Sequence, residues 1–155
     1  MARPRCRFPP ITKLLFKVDG ASRSSFGEAG IGGLLCDSSG KALVKFLRSV
    51  GIMDATTAEI LAIKEVGLIC KDKSKLASKK IIIASDNALA CNWILAPQTT
   101  PLAFKAEIME VWNLCKSFDW VVESIDRELN IEADSLAKNG IGRMVNLLWL
   151  DDEIS

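Results

Sequence analysis

The segment KKIIIASDN, Lys79–Asn87, predicts a central strand of a β-sheet, around which the other elements can be placed. Isoleucine fills three successive positions, so the segment lacks the alternation of polar and apolar residues that a half-exposed strand shows. A continuous β-branched run is typical of a strand that is covered on both faces in the middle of a sheet. The run ends in Ser85-Asp86-Asn87, which places an acidic side chain just past a buried strand.

Upstream of this strand, the sequence predicts three further strands and a helix. The apolar segments TKLLFKVDG (12–20), AGIGGLLCD (29–37) and ALVKFLRSVGI (42–52) are joined by short turns, which predicts an antiparallel meander. The period then changes in DATTAEILAIKEVGLICK (54–71), which predicts a helix. Thr56–Glu59 matches the Ser/Thr-x-x-Glu capping box at its start.

Downstream, the patterns predict two helices, a strand and a last helix. These are ALACNWIL (88–95), AFKAEIMEVWNLCKSF (103–118), WVVESID (120–126) and LNIEADSLAKNG (129–140), the last closed by a Gly140 cap. The element order is β-β-β-α-β-α-α-β-α. We therefore expect an α/β (mixed α+β) fold with a five-stranded mixed sheet, three antiparallel then two parallel strands, flanked by helices. The folded domain would span 12–142, between a linker or boundary segment (1–11) and a C-terminal tail (143–155).

Composition narrows the chemistry of any site. The 155 residues carry a net charge of +1 and contain no histidine, so the usual general acid/base and the commonest metal ligand are missing. The five cysteines form no CxxC pair, which disfavours zinc. Reduced thiols and the absence of a signal peptide or a long apolar run lead us to expect an intracellular protein, nuclear or cytoplasmic, without a membrane.

Nucleic-acid binding would need a local basic patch, because the whole chain has almost no net charge. The candidates are RPRCRF (3–8), KDKSKLASKK (71–80) and the scattered residues Arg23, Arg127, Lys138 and Arg143. The alternative for each is a solvated surface charge.

Four carboxylates occupy places that suggest a site: Asp19, Glu59, Asp86 and Asp134. Each also has a structural explanation. Asp19 would begin a turn, Glu59 would complete the capping box, Asp86 would cap the following helix, and Asp134 would be a tolerated acid in an early helical turn. Asp134, however, lies among positions predicted to line the buried side of its helix: Ile131, Ala133, Leu136 and Ala137.

The positions of the four acids favour a shared site. Asp19 and Asp86 both follow strands, and ligands in open α/β sheets bind outside the carboxyl ends of the strands. Carboxylates held that close repel each other unless a cation neutralises them. An all-oxygen ligand set favours magnesium or manganese, and two such ions about 4 Å apart can drive in-line displacement at phosphorus.

Four segments carry a resemblance to a known family. VDGA (18–21), TTAEILA (56–62), IIIASDN (81–87) and RELNIEADSLAK (127–138) resemble, in order and spacing, the ribonuclease H type I family. The closer likeness is to its archaeal-like branch, in particular the domain attached to reverse transcriptases of plant LINE-type (non-LTR) retrotransposons. The resemblance covers about residues 12–142.

The resemblance implies a metal-dependent endoribonuclease that cleaves the RNA strand of RNA–DNA hybrids. Asp19, Glu59, Asp86 and Asp134 would hold two Mg²⁺ (or Mn²⁺) ions. Asp134 would hold the ion next to the attacking water, and Glu59 would accept from the ribose 2′-hydroxyl or from a water on an ion. The implied substrate-binding residues are Gly20, Arg23, Thr56, Thr57, Asn87 and Asn130.

Two departures from the bacterial members are informative. A histidine precedes their last helix, whereas this chain has Arg127, as the archaeal-like branch does. Arg127 would hold the phosphate or help to release the product. The alternative is a surface ion pair with Glu128 or Asp126. The bacterial members also insert a basic helix where this chain has only APQTTP (96–101), so hybrid binding would depend on a tethered domain.

The partners implied are an RNA–DNA hybrid, double-stranded RNA as a second candidate substrate, and a covalently linked reverse transcriptase domain, with the chain itself a monomer. Two rival functions remain open. One is a catalytically weak or inactive nucleic-acid-binding module of the same fold. The other is a resolvase or integrase.

Overall fold

In the computed structural model, which describes residues 13–154, the isoleucine run is a strand near the middle of a six-stranded sheet. The order of the strands is β5-β4-β1-β2-β3-β6. Their bounds are Lys13–Ser22 (β1), Gly27–Cys36 (β2), Ala42–Met53 (β3), Lys80–Ser85 (β4), Trp120–Ser124 (β5) and Leu147–Leu150 (β6). The predicted boundary segment 1–11, with Cys6 and RPRCRF, lies outside the described residues.

The predicted helices are present, with one addition. Their bounds are Ala55–Cys70 (α1), Ser74–Ala77 (α2), Ala88–Leu95 (α3), Lys105–Ser117 (α4) and Ile131–Gly140 (α5). The single-turn helix α2 was not predicted. Short 3₁₀ turns cover Pro97–Thr99, Leu102–Phe104 and Arg127–Leu129. No helix within residues 13–154 combines the length and the hydrophobicity that a membrane crossing requires.

The pairing confirms the predicted mixed sheet and corrects its size. β1, β2 and β3 form an antiparallel meander, and β4 and β5 run parallel to β1 and to each other. A sixth strand, β6, pairs antiparallel with β3, with Leu150 opposite Val44. The predicted tail (143–155) therefore contributes an edge strand. The four apolar residues of β6 show no alternation of polar and apolar side chains. Their strand conformation depends on pairing with β3, about 100 positions away in the sequence.

The core explains the pattern of β4. Ile81 and Ile83 are buried, whereas Ile82, on the opposite face, is only half-buried. The buried side meets Phe16 of β1, which packs edge-to-face on Phe46 with ring centres 5.9 Å apart. One face of β4 is therefore fully covered, as predicted, and the other only partly.

Glycines let helices approach the sheet from both faces. A Cβ at Gly32 of β2 would lie 2.6 Å from the main-chain nitrogen of Ala137 in α5. One at Gly20 of β1 would lie 2.4 Å from the main chain of Ala58 in α1. Since alternate strand residues face opposite sides of a sheet, α1 and α5 pack on opposite faces.

Gly140 has a different role from the predicted cap. It is the last residue of α5, and a Cβ there would lie 2.7 Å from the carbonyl oxygen of Arg48. The positive φ typical of a glycine after a helix occurs at Gly142, where φ is +69°. Close packing on the sheet, rather than backbone conformation, requires glycine at position 140.

Candidate active site

Three carboxylates from three different elements meet at the carboxyl end of the central strands. Asp19 (β1), Glu59 (α1) and Asp86 (just after β4) each present an oxygen atom, and these atoms all lie within 4.8 Å of one another. Asp134 of α5 lines the same cleft, which has a volume of about 490 Å³. The structure thus brings together the four predicted acids.

The register of the parallel strands places Asp19 beside Asp86. Lys17 of β1 pairs with Ala84 of β4, and each aspartate lies two residues further along its chain. Asp19 lies within β1, which continues to Ser22, so the predicted turn at Asp19 does not form. Asp86 is not the helix cap either, because the side chain of Asn87 accepts from the N–H of Ala90 at the start of α3.

Glu59 points at β1 rather than at the start of its own helix. The helix cap is Asp54, whose Oδ1 accepts from the N–H of Thr57 at 2.7 Å, so the predicted capping box at Thr56 does not form. Glu59 Oε1 instead accepts from the N–H of Gly20 at 2.7 Å. The contact requires the close approach of α1 that Gly20 permits. Glu59 is consequently buried, with 6% of its surface exposed.

The early turn of α5 presents Asp134 to the cleft. Ala133 and Ala137 pack on the sheet, whereas Ile131, predicted to be buried, is 66% exposed. Ile131 is the first residue of the helix, and its side chain does not face the sheet as those of the two alanines do. Asp134 is half-buried, and its Oδ2 lies 3.0 Å from Lys138 Nζ one turn later.

Burial and crowding change the ionisation of the carboxylates. Burial raises the pKa of Asp19 from 3.8 to about 10, and the hydrogen bond and charge of Glu59, the charge of Asp86 and a hydrogen bond with Asp134 act in the same direction. Burial also raises the pKa of Glu59, against the hydrogen bonds from Asp19 and the Gly20 N–H. Without a cation, Asp19 therefore holds a proton at neutral pH.

Two basic side chains lie beside the acids. Arg127 Nε is 3.8 Å from Asp86 Oδ2, and 85% of the arginine side chain is exposed. The structure thus pairs Arg127 with Asp86 rather than with either of its acidic neighbours in sequence. Lys138 also lines the cleft, and its spacing from Asp134 (i, i+4) is the signal by which the sequence indicates this pair.

The donor atoms suit a hard divalent cation. The cluster offers carboxylate oxygens without histidine or cysteine, and such ligands suit magnesium or manganese. Divalent ions would also replace the proton that Asp19 retains in this crowded cluster. The residues present therefore fit a divalent metal centre.

The sequence between residues 17 and 140 matches the family model described as Reverse transcriptase-like. The chain belongs to the reverse transcriptase-like family. No curated protein sequence matches it significantly.

Solved structures show the fold of this reverse transcriptase-like chain. LC11-RNase H1, isolated from compost by a metagenomic approach, superposes with a TM-score of 0.78 at 22% identity, covering 84% of this chain and 96% of that one. LC11-RNase H1 in complex with an RNA/DNA hybrid gives 0.70 at 21% identity, covering 83% and 96%. RNase H1 from the halophilic archaeon Halobacterium salinarum NRC-1 gives 0.75 at 22% identity, covering 83% and 96%. The reverse transcriptase-like chain therefore has the ribonuclease H fold.

The predicted substrate-binding residues of this reverse transcriptase-like domain separate into two groups. Gly20, Thr56 and Asn87 line the cleft. The other three do not: Arg23 pairs with Glu28 at 2.6 Å in the β1–β2 hairpin, Thr57 contributes its N–H to the cap of α1, and Asn130 is fully buried.

Proposed function

We propose that the chain is a metal-dependent endoribonuclease that hydrolyses the RNA strand of RNA–DNA hybrids. The observation that carries the proposal is the convergence of Asp19, Glu59 and Asp86 within 4.8 Å, with Asp134 in the same cleft. Three acids buried or half-buried at one point destabilise the fold unless they serve a ligand. The ribonuclease H fold and the match to the reverse transcriptase-like family support the same reaction.

The four carboxylates would hold two ions, Mg²⁺ or Mn²⁺. When bound, these ions supply charge stabilisation at the scissile phosphate and promote ionisation of the attacking water. Glu59, oriented by the N–H of Gly20, accepts a hydrogen bond from the 2′-hydroxyl that distinguishes RNA from DNA. Arg127 cannot shuttle protons near neutral pH and holds a phosphate oxygen at the rim of the cleft. The products carry 5′-phosphate and 3′-hydroxyl ends.

The biological setting is a further part of the proposal. The resemblance of FKVDGA, GIGGLL, AEILAI and ADSLAK to the archaeal-like branch supports a retrotransposon domain of the LINE type that acts beside a covalently linked reverse transcriptase. Within this setting the domain acts as a monomer. It recognises the shape of the hybrid and the 2′-hydroxyls rather than the base edges, so cleavage has little sequence preference. Double-stranded RNA is a second candidate substrate.

A labelled-substrate assay tests the function. The protein is incubated with RNA–DNA hybrid, duplex RNA or duplex DNA in Mg²⁺ or Mn²⁺, beside Asp86→Asn. We expect cleavage of the RNA strand in the hybrid, reduced about 100-fold or more in the variant because a charged ligand of the site is lost. Asp119→Asn is the matched control, since Asp119 is exposed and its side chain pairs only with Lys80 among the described residues. It should cleave as the wild type does.

One observation favours the second candidate, a nucleic-acid-binding module with weak or no activity. Only short 3₁₀ turns join α3 to α4, and Arg23 is engaged by Glu28, so few basic groups surround the cleft. Binding of hybrid without cleavage, equal in wild type and Asp86→Asn, would establish this module. Cleavage of duplex DNA instead would indicate a resolvase-like enzyme.

A further inference from the structure

Asn130 is a fully buried polar residue beside the carboxylate cluster. None of its surface is exposed, and its Nδ2 donates to the main-chain oxygen of Val18 at 2.9 Å. Val18 immediately precedes Asp19 in β1. The pairing of β1 with β4 ends at Lys17. The side-chain amide of Asn130 therefore binds β1 one residue beyond its last pair with β4.

The main chain of Asn130 holds the other side of the site. Its carbonyl oxygen accepts from the N–H of Asp134 at 3.0 Å, which is the first hydrogen bond of α5. One residue therefore connects the strand that carries Asp19 with the helical turn that carries Asp134. Each connection is a single hydrogen bond of ordinary length.

The side-chain amide of Asn130 makes one hydrogen bond among the described residues, the one to Val18. Within residues 13–154, the Oδ1 atom of Asn130 accepts no hydrogen bond, although it is buried. An apolar side chain of the same branched shape, such as leucine, would fill the space without burying an unpaired oxygen. A polar residue at this position is therefore explained by the bond to Val18 rather than by packing.

We infer that Asn130 is a positioning residue that sets the placement of Asp134 relative to Asp19 and thereby the affinity of the cleft for divalent ions. The inference rests on the proposed function, in which these carboxylates hold the ions. It also gives Asn130 a role other than contact with substrate, because a fully buried side chain is not accessible to a nucleic acid.

Calorimetric titration with Mn²⁺, with no substrate present, tests the inference. Asn130→Ala removes the bond and leaves a cavity. Asn130→Leu removes the bond with a side chain of the same branched shape, so it leaves no cavity. We expect both to weaken Mn²⁺ binding about 10- to 100-fold, as is usual when a residue that orients metal ligands is lost. Ile108→Val, a conservative change in the buried face of α4, is the control and should stay within about twofold of wild type.

The outcomes separate the inference from the function on which it rests. Variants that lower the melting temperature but bind Mn²⁺ within about twofold of wild type would show that Asn130 only stabilises the fold. An increase in KM for hybrid with unchanged Mn²⁺ affinity would assign it to substrate. If the wild-type chain binds no Mn²⁺ at millimolar concentration, the inference and the proposed metal centre both fail. If the wild type cleaves the hybrid and both Asn130 variants bind Mn²⁺ as tightly as the wild type, only the inference fails.

Discussion

At the scale of single residues, the site combines buried acids with exposed bases. Arg127 lies at the rim of the cleft with 85% of its side chain exposed, and its distance of 3.8 Å to Asp86 is that of a loose ion pair. Exposed pairs of this kind stabilise a fold little. Under the proposed function, the guanidinium would exchange Asp86 for a phosphate oxygen of the substrate.

Replacing Arg127 by alanine should lower activity without affecting stability. We expect kcat/KM for hybrid cleavage to fall about 10-fold, since one charge-assisted hydrogen bond to phosphate is lost. The melting temperature should remain that of wild type, because the side chain is exposed. Steady-state kinetics and thermal unfolding measure the two effects, and Arg127→Lys should recover part of the activity.

Arg143→Ala provides the comparison for this arginine. Arg143 is also exposed, and its Nε donates to the carbonyl oxygen of Val145, away from the cleft. If both variants lose the same activity, general positive charge rather than the position of Arg127 supports the reaction.

At the scale of elements, glycines determine how close the helices lie to the sheet. Gly20 admits α1 and therefore Glu59, and Gly32 admits α5 and therefore Asp134. Gly33, the next residue of β2, faces the opposite side, where a Cβ would lie 2.4 Å from the ring of Phe46. Adjacent glycines of one strand thus serve different purposes, one for the site and one for the core.

Gly32→Ala and Gly33→Ala should separate these purposes. Both should lower the free energy of unfolding by about 1–3 kcal/mol, because each forces a methyl group into occupied space. Only Gly32→Ala should also weaken Mn²⁺ binding, because it displaces the helix that carries Asp134. Urea unfolding and Mn²⁺ titration give the two quantities, and equal Mn²⁺ affinities would show that α5 can shift without disturbing the site.

At the scale of the whole molecule, the carboxylate cluster couples folding to pH and to metal. Burial and neighbouring charge raise the pKa of Asp19 from 3.8 to about 10, so the folded chain retains a proton that the unfolded chain releases as the pH rises above about 4. Stability from this group is fully present below pH 3.8. This stabilisation is lost progressively as the pH rises from 3.8 to about 10. The raised pKa of Glu59 acts in the same direction.

The melting temperature in the presence of a chelator should therefore decrease between pH 5 and pH 8. Millimolar Mg²⁺ should restore much of it at pH 8, because the ions replace the protons. Asp19→Asn should make the chelated protein less sensitive to pH, since the principal titrating group is gone. The coupling would be contradicted if the melting temperature of the chelated wild type increased over this range. It would also be contradicted if the melting temperature of Asp19→Asn changed with pH as steeply as that of the wild type.

The sheet has an edge strand, β6, that the local sequence pattern does not predict. β6 joins β3, yet Leu148 and Trp149 remain 50% and 43% exposed. The four-residue run LLWL carries no alternation, so its strand conformation depends on a neighbour that only the folded sheet supplies. The fifth and sixth strands at the two edges of the sheet differ in this respect, because WVVESID has a recognisable strand composition of its own.

The amino-acid sequence predicted the acidic composition of the site, five of the six strands and four of the five α-helices. Helical and strand periods depend on neighbours within a few residues, so they can be predicted locally. The four carboxylates stand out in the sequence as acids that follow apolar runs or lie in early helical turns. The convergence of the four acids was predicted, whereas the other contacts that shape the site depend on the tertiary structure. The register of β1 on β4, the close approach allowed by Gly20 and Gly32, the burial of Asn130 and the exposure of Ile131 all depend on residues far apart in the chain. Their contacts follow from packing in three dimensions, which no local pattern records.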